Sequence, residues 1–165
     1  EQTTPLSSFF AGNDYTAPVR GVAASMRNSG KGKIASVYFN AGTAYSQYKT
    51  PVIRDFIGNL AEMLFPGKMV DVSGSRLVHV ALNQLNGLTY LHLINAAGEH
   101  TNEEAIAYDQ VPVLTNLQVS VKTARKPVRI ILQPEGKELP FTYREGYSRV
   151  SVPSLEIHSI IEITE

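Results

Sequence analysis

The stretch VHVALNQLNGLTYLHLIN, residues 78–95, indicates the fold of most of the chain. Two runs of alternating apolar and polar residues flank Asn86-Gly87, which is the strongest short signal for a two-residue type I′ hairpin turn. Such a turn pairs Leu85 with Leu88, and further along it pairs Leu82 with Leu91 and Val80 with Leu93. Because strand side chains alternate between faces, one face of this hairpin is apolar. The apolar face holds Val78, Val80, Leu82, Leu91 and Leu93. The more polar face holds His79, Ala81, Asn83, Tyr90, His92 and Ile94.

The same period of two extends on both sides of this hairpin. It predicts strands near residues 69–73, 76–85, 88–95, 117–122, 127–133, 137–143, 147–152 and 155–163. Short strands with turn signals between them, and no intervening helix, are typical of an antiparallel β-sandwich.

Residues before Gly67 follow a different pattern. Thr50 is suited to an N-cap, Pro51 to the first helical turn and Gly67 to the C′ position, so together they predict a helix. Within it, apolar residues recur at helical spacing and form a stripe that needs a surface to pack on. The stripe consists of Val52, Ile53, Phe56, Ile57, Leu60, Ala61 and Leu64.

Two short β-like runs precede this helix, at Val19 to Met26 and Lys33 to Phe39. Residues 1–18 are polar and interrupted by proline and glycine, so we expect them to be irregular. The change of period near Lys68 predicts an α+β chain with two parts. A strand–helix segment, residues 1–67, is followed by an antiparallel β-sandwich, residues 68–165.

Composition excludes several classes of protein. The chain has 15 basic and 15 acidic residues and no basic stripe, so we expect no nucleic-acid partner. No window approaches 18 apolar residues, so we expect no membrane partner. The absence of cysteine excludes disulfides, thiolate zinc sites and cysteine nucleophiles. Because the chain opens on Glu1, we interpret it as a processed product or a domain of a longer protein.

Motifs for phosphate binding and nucleophilic catalysis are incomplete. Gly30-Lys31-Gly32-Lys33 precedes a strand and lacks the hydroxyl residue of a phosphate loop, so we interpret it as a tight turn. Val72-Ser73-Gly74-Ser75 lacks the first glycine of a nucleophile elbow. We therefore expect no catalytic residue and no cofactor.

Three other groups of side chains are candidates for binding. His79 and His92 are diagonal neighbours in the predicted hairpin, but a zinc site needs three or four ligands, so we expect interdomain hydrogen bonding and no metal. A loop at residues 97–109 carries carboxylates that could serve glycoside hydrolysis or lie in solvent or touch calcium. These are Glu99, Glu103, Glu104 and Asp109. Phe141, Tyr143 and Tyr147 cluster near one turn and could stack on sugar rings.

Several segments together resemble a known family. GKGKIASVYFNAGTAYSQYKTPVIRDFIGNLAEML, residues 30–64, is similar to the end of the amidotransferase-like domain of family 42-type β-galactosidases and related glycosidases. The matching features are Gly30-Lys31-Gly32, the strand to Phe39, Gly42, Ala44-Tyr45, Tyr48, Pro51 and Arg54. LTYLHLINAAG, VPVLTNLQVSVKT and ELPFTYREGYSRVSVPSLEIHSIIEI resemble the C-terminal β-domain of the same enzymes.

The resemblance implies a glycosidase whose two catalytic glutamates lie on a (β/α)₈ barrel. Such a barrel typically takes about 250 residues and cannot lie in this chain. Residues 1–67 would be the last part of a flavodoxin-like, amidotransferase-like domain, which in the family helps subunits to associate, often as trimers. The resemblance also implies a bacterial source, and it leaves a cytoplasmic or an exported location open.

Three hypotheses of function follow. The first is a non-catalytic C-terminal region that packs on the catalytic barrel of a glycosidase or forms a homo-oligomer through Ile53, Phe56, Ile57, Leu60 and Leu64. The second is a carbohydrate-binding module that uses Phe141, Tyr143 and Tyr147. The third is a self-contained hydrolase with its site on the acidic loop.

Overall fold

The computed structural model of the protein describes residues 3–10, 16–97 and 110–165. The chain divides into two compact units, Glu1–Gly67 and Lys68–Glu165. The described residues form antiparallel sheets with two helices. The predicted class, an α+β fold with an antiparallel sandwich, is therefore confirmed. Neither described helix has the length and apolar character needed to cross a lipid bilayer.

The first unit contains a three-stranded antiparallel sheet in the order β1-β2-β3. Its strands are β1 (Thr4–Phe10), β2 (Val19–Ser29) and β3 (Gly32–Val37). The prediction that residues 1–18 are irregular was wrong for β1. Pairing with β2 outweighs the proline signal, because Pro5 lies on an edge strand and the register shifts directly after it.

Two helices follow the sheet, α1 (Ala41–Tyr48) and α2 (Pro51–Leu64). Helix α1 was not predicted from the sequence. Its N-cap Asn40 accepts a hydrogen bond from the Thr43 amide at 3.1 Å. Helix α2 begins at Pro51, as predicted, and the ring of Phe56 packs on Phe39 with centroids 5.5 Å apart.

All strand pairings described in the first unit are antiparallel. Flavodoxin-like domains are built on parallel sheets. The origin of this unit in such a domain therefore stays a prediction.

The second unit contains two sheets. The four-stranded sheet has the order β10-β11-β7-β4 and the five-stranded sheet the order β5-β6-β12-β8-β9. The strands are β4 (Val70–Ser73), β5 (Val78–Leu85), β6 (Leu88–Asn95), β7 (Leu114–Lys122), β8 (Arg129–Gln133), β9 (Lys137–Glu138), β10 (Phe141–Arg144), β11 (Tyr147–Leu155) and β12 (His158–Thr164).

The predicted hairpin is present with the predicted register. Leu85 pairs with Leu88, and Leu82 with Leu91. Asn86 has a φ of 51° and Gly87 a φ of 80°, as a type I′ turn requires.

The predicted strand at 137–143 is two strands in the structure. β9 belongs to the five-stranded sheet and β10 to the four-stranded sheet. The division falls at Leu139-Pro140, where the Leu139 amide still donates to the Ile130 carbonyl but proline has no amide hydrogen to donate. The chain crosses between sheets at this point.

The inward faces of the two sheets form the core of the second unit. Its fully buried side chains come from five strands. They are Leu91, Leu93, Leu117, Val119, Val121, Ile130, Val152, Leu155, Ile161 and Ile163. The opposite face of each sheet, which we call its outer face, carries the alternate residues.

Candidate functional site

Two histidines meet on the outer face of the five-stranded sheet. His92 of β6 and His158 of β12 are diagonal neighbours, because His92 pairs with Ile160 and Ile94 with His158. Nδ1 of His92 lies 3.1 Å from Nε2 of His158. The two rings are nearly parallel, at 5°, with centroids 5.3 Å apart. One imidazole donates its N–H to the lone pair of the other.

His79 lies on the same face of the sheet, one strand further out. It pairs with Ile94 and is therefore a diagonal neighbour of His92, but the ring contact of His92 is with His158 instead. His158 was not predicted as a neighbour of His92, because β12 lies far along the chain from β6 and no local sequence pattern indicates their pairing. The alternation of residues in β12 is the one sequence pattern that could have predicted an outer-face position for His158.

The other predicted ligands do not extend this pair. Within residues 3–10, 16–97 and 110–165, no group of three or more histidine, cysteine, aspartate or glutamate residues could hold a metal ion. Glu99, Glu103, Glu104 and Asp109 lie outside the described residues.

The predicted sugar-binding aromatic residues lie on two faces of the four-stranded sheet. Phe141 pairs with the buried Val150, and its side chain packs against the core. Tyr143 pairs with the buried Ser148 and so shares that inward face. Tyr147 lies next to Ser148 along β11 and therefore on the outer face. A single flat platform of three rings does not form, and their role in sugar binding stays a prediction.

Tyr147 has a defined hydrogen bond of its own. Its hydroxyl donates to the Lys68 carbonyl at 3.1 Å. This contact ties the outer face of β11 to the first residue of the second unit.

Among the residues that the structure describes, no base lines the cavity at the serine motif of the second unit. Ser73 and Ser75 line a cavity of about 450 Å³, whose other described lining residues are Val72, Gly74 and Arg76. None of these is a histidine or a carboxylate, so the cavity offers the serines no group to accept a proton. Gly74 has a φ of 99° and passes so close to the backbone that an added Cβ would lie 2.9 Å from the Asn116 carbonyl oxygen.

The apolar stripe of α2 is only partly covered. Its members Ile53, Phe56, Leu60 and Leu64 are half-buried, and Ile57 is exposed. No residue of α2 is fully buried. Val52 and Phe65, at the two ends of the helix, are 77% and 74% exposed.

Among its described residues, the first unit exposes more large apolar side chains than it buries. Its buried described residues are Ala23, Ala24 and Ser25. Its exposed large apolar residues are Val19, Val22, Ile34, Val37, Tyr38, Tyr48, Val52, Ile57, Met63 and Phe65. We call these ten residues the exposed apolar set. Where such residues adjoin in a patch, the patch marks an interaction site more often than a free surface.

A solved structure shares this fold over nearly the whole chain. An α-L-fucosidase isoenzyme 2 from Paenibacillus thiaminolyticus matches with a TM-score of 0.73 and 16% identity, covering 98% of this chain and 25% of the fucosidase. This is the fold of a glycosidase segment. The chain spans about a quarter of the length of that enzyme.

Two other glycoside-active enzymes match less well. A cycloisomaltooligosaccharide glucanotransferase from Paenibacillus sp. has a TM-score of 0.47 and 16% identity, over 67% of this chain and 20% of that one. A GH42 β-galactosidase from G. stearothermophilus has a TM-score of 0.45 and 15% identity, over 93% of this chain and 17% of that one. No protein-family model and no curated protein sequence matches the chain.

Proposed function

We propose that this chain is a non-catalytic accessory region of a glycoside hydrolase and that its first unit serves domain packing or oligomerisation. The observation that carries the proposal is the exposed apolar set of the first unit, beside only three buried described residues. Full burial of one valine, isoleucine or phenylalanine side chain contributes about 1.5–3 kcal/mol, so covering several of them favours association strongly.

The fold likeness supports the same proposal. The matching structure is a glycosidase in which this fold makes up a quarter of the chain, which leaves the rest of that enzyme for other domains. A β-galactosidase parent is the finer form of the proposal, and it rests on the sequence resemblance.

The solution mass of the chain tests the association role. Light scattering over a concentration series should give a mass that rises above 18.1 kDa as concentration increases. Ile57→Glu places a charge on the exposed apolar set and should return the mass to that of the monomer. Asn59→Glu, at an exposed polar position of the same helix, is the matched control and should not.

If the chain is a monomer at every concentration, the role of the first unit would instead be packing on another part of a longer protein. In that case the exposed apolar set should bind an apolar dye such as ANS, and Ile57→Glu should reduce the fluorescence. A monomer that binds no dye would contradict both roles.

An activity assay tests the absence of catalysis. The chain should not hydrolyse aryl glycosides, because the (β/α)₈ barrel that carries both catalytic glutamates in the family it resembles takes about 250 residues and cannot lie in this chain. Turnover that disappears in Glu103→Gln or Glu104→Gln would contradict the proposal and would favour a self-contained hydrolase.

A further inference from the structure

We propose that His92 and His158 form a binding site for Cu²⁺, a divalent transition-metal ion that imidazole ligands suit. The inference does not depend on the packing role of the first unit, because both histidines belong to the second unit. It rests on the geometry of the pair, on the rigidity of the strands that carry it and on the surroundings of His158.

The separation of the two nitrogens suits a shared metal ion. Two imidazole nitrogens bound to one ion at about 2.0–2.1 Å lie about 3.3 Å apart in tetrahedral geometry and about 2.9 Å apart at right angles. Nδ1 of His92 and Nε2 of His158 are 3.1 Å apart, between these two values. Because the two rings face each other nearly in line, with centroids 5.3 Å apart, each must turn by roughly 40° for both lone pairs to point at one ion.

The proton balance of the pair allows such an exchange. In the neutral hydrogen-bonded pair one of the facing nitrogens carries a hydrogen, which moves to the other nitrogen of the same ring by tautomerisation. Both facing nitrogens then present lone pairs, and the metal ion takes the place of the shared hydrogen. No net proton is released at a pH where both rings are neutral.

The strands hold the two histidines in fixed positions. β6 and β12 are interior strands of the five-stranded sheet, so each is hydrogen-bonded on both sides. The neighbours of His92 along β6, Leu91 and Leu93, are fully buried, which fixes the direction of its side chain. A pair built on such elements is preorganised, and binding an ion therefore orders little additional structure.

The surroundings of His158 leave room for further ligands. His158 lines a cavity of about 220 Å³ that Glu135 and Glu156 also line. These carboxylates place negative charge on the cavity beside His158 and favour a cation there. Since no third described side chain completes the ligand set, water would fill the remaining positions, as in an exchangeable site rather than a closed structural one.

Copper titration with electron paramagnetic resonance tests the site on the intact chain. The sequence has four histidines and no cysteine, so few side chains compete for the ion. The wild-type chain should bind one equivalent of Cu²⁺ with a spectrum split by two nitrogens. His92→Ala and His158→Ala should each lose the saturable binding and the two-nitrogen pattern.

The matched control removes the other two histidines. A double variant with His79→Ala and His100→Ala keeps the proposed pair as its only imidazoles and should bind as the wild type does. Cu²⁺ should raise the melting temperature of the wild type and of this double variant, but not of His158→Ala. Far-UV circular dichroism checks that each variant is folded, and the copper-dependent shift separates a metal site from a merely structural hydrogen bond.

Three results would overturn the proposal. One is a wild-type chain with no saturable Cu²⁺ binding. A second is undiminished binding in His92→Ala and His158→Ala. The third is loss of binding in the double variant, which would place the ion at His79 or His100 instead.

Discussion

An Asn95→Leu substitution should lower the free energy of unfolding of the second unit by about 3 kcal/mol. Asn95 ends β6 and is only 9% exposed. Its Nδ2 donates to the carbonyls of Pro112 at 2.8 Å, Glu156 at 2.6 Å and Leu155 at 3.3 Å, and its Oδ1 accepts from the Ala97 amide at 2.9 Å. Two N–H groups serve three carbonyls, so the side chain makes the equivalent of three hydrogen bonds at about 1 kcal/mol each.

Asn95→Asp separates hydrogen bonding from packing. The new side chain has the same shape and still accepts a hydrogen bond from the Ala97 amide. At neutral pH, however, its second oxygen carries no hydrogen to donate and faces the three carbonyl oxygens. Burial and these carbonyls should raise the folded-state pKa of the introduced carboxyl above its unfolded value of about 3.9. The loss of stability should therefore grow as the pH rises from about 4 through that raised pKa, and it should shrink in acid.

Urea denaturation followed by far-UV circular dichroism measures both effects. With a slope of about 1.5 kcal/mol per M, a loss of about 3 kcal/mol lowers the midpoint by roughly 2 M. Asn83→Leu, at an exposed position of the same hairpin, is the control and should change stability by less than about 0.5 kcal/mol. If Asn95→Leu shifted the midpoint no more than this control, the hydrogen-bond reasoning would be refuted.

Two further substitutions test backbone and core. Gly74→Ala should cost about 2–3 kcal/mol, because it combines a positive φ with a Cβ only 2.9 Å from the Asn116 carbonyl oxygen. Gly87→Ala, at a positive φ with open space around it, should cost only about 1 kcal/mol, and equal losses in urea denaturation would contradict the close-approach argument. Leu93→Ala should cost about 3 kcal/mol, because Leu93 is fully buried. Leu85→Ala, at a 62% exposed position of the same hairpin, should cost far less in the same assay.

Local signals in the second unit were sufficient to predict most of its strands. The Asn86-Gly87 turn and the alternation around it predicted the register of β5 with β6. The same signals could not divide β9 from β10, because the step between sheets depends on which strands lie beside residues 137–144 in space. Pro140 was the only local sign of that step, and an isolated proline is also compatible with one edge strand.

Pairing between distant strands explains why the sequence did not identify His158 as a neighbour of His92. Within a hairpin, the turn fixes the register, and His79 was the only histidine that the turn could bring near His92. β12 reaches β6 from the other end of the second unit, and their register depends on the packing of Ile161 and Ile163 against the opposite sheet. That register cannot be deduced from a single sequence.

The first unit shows a different limit of sequence patterns. The apolar stripe of α2 indicates that the helix packs on something, and Phe39 supplies part of that surface within the unit. The strands beside it, however, expose Val19 and Ile34 as well, so the uncovered apolar surface is not confined to the helix. Ile34 and Val37 lie on opposite faces of β3, so the exposed apolar set is not a single surface and one partner covers only part of it. We propose another domain of a longer chain or a second copy as the partner of the part that includes Ile57, and the response of the solution mass to Ile57→Glu distinguishes the two.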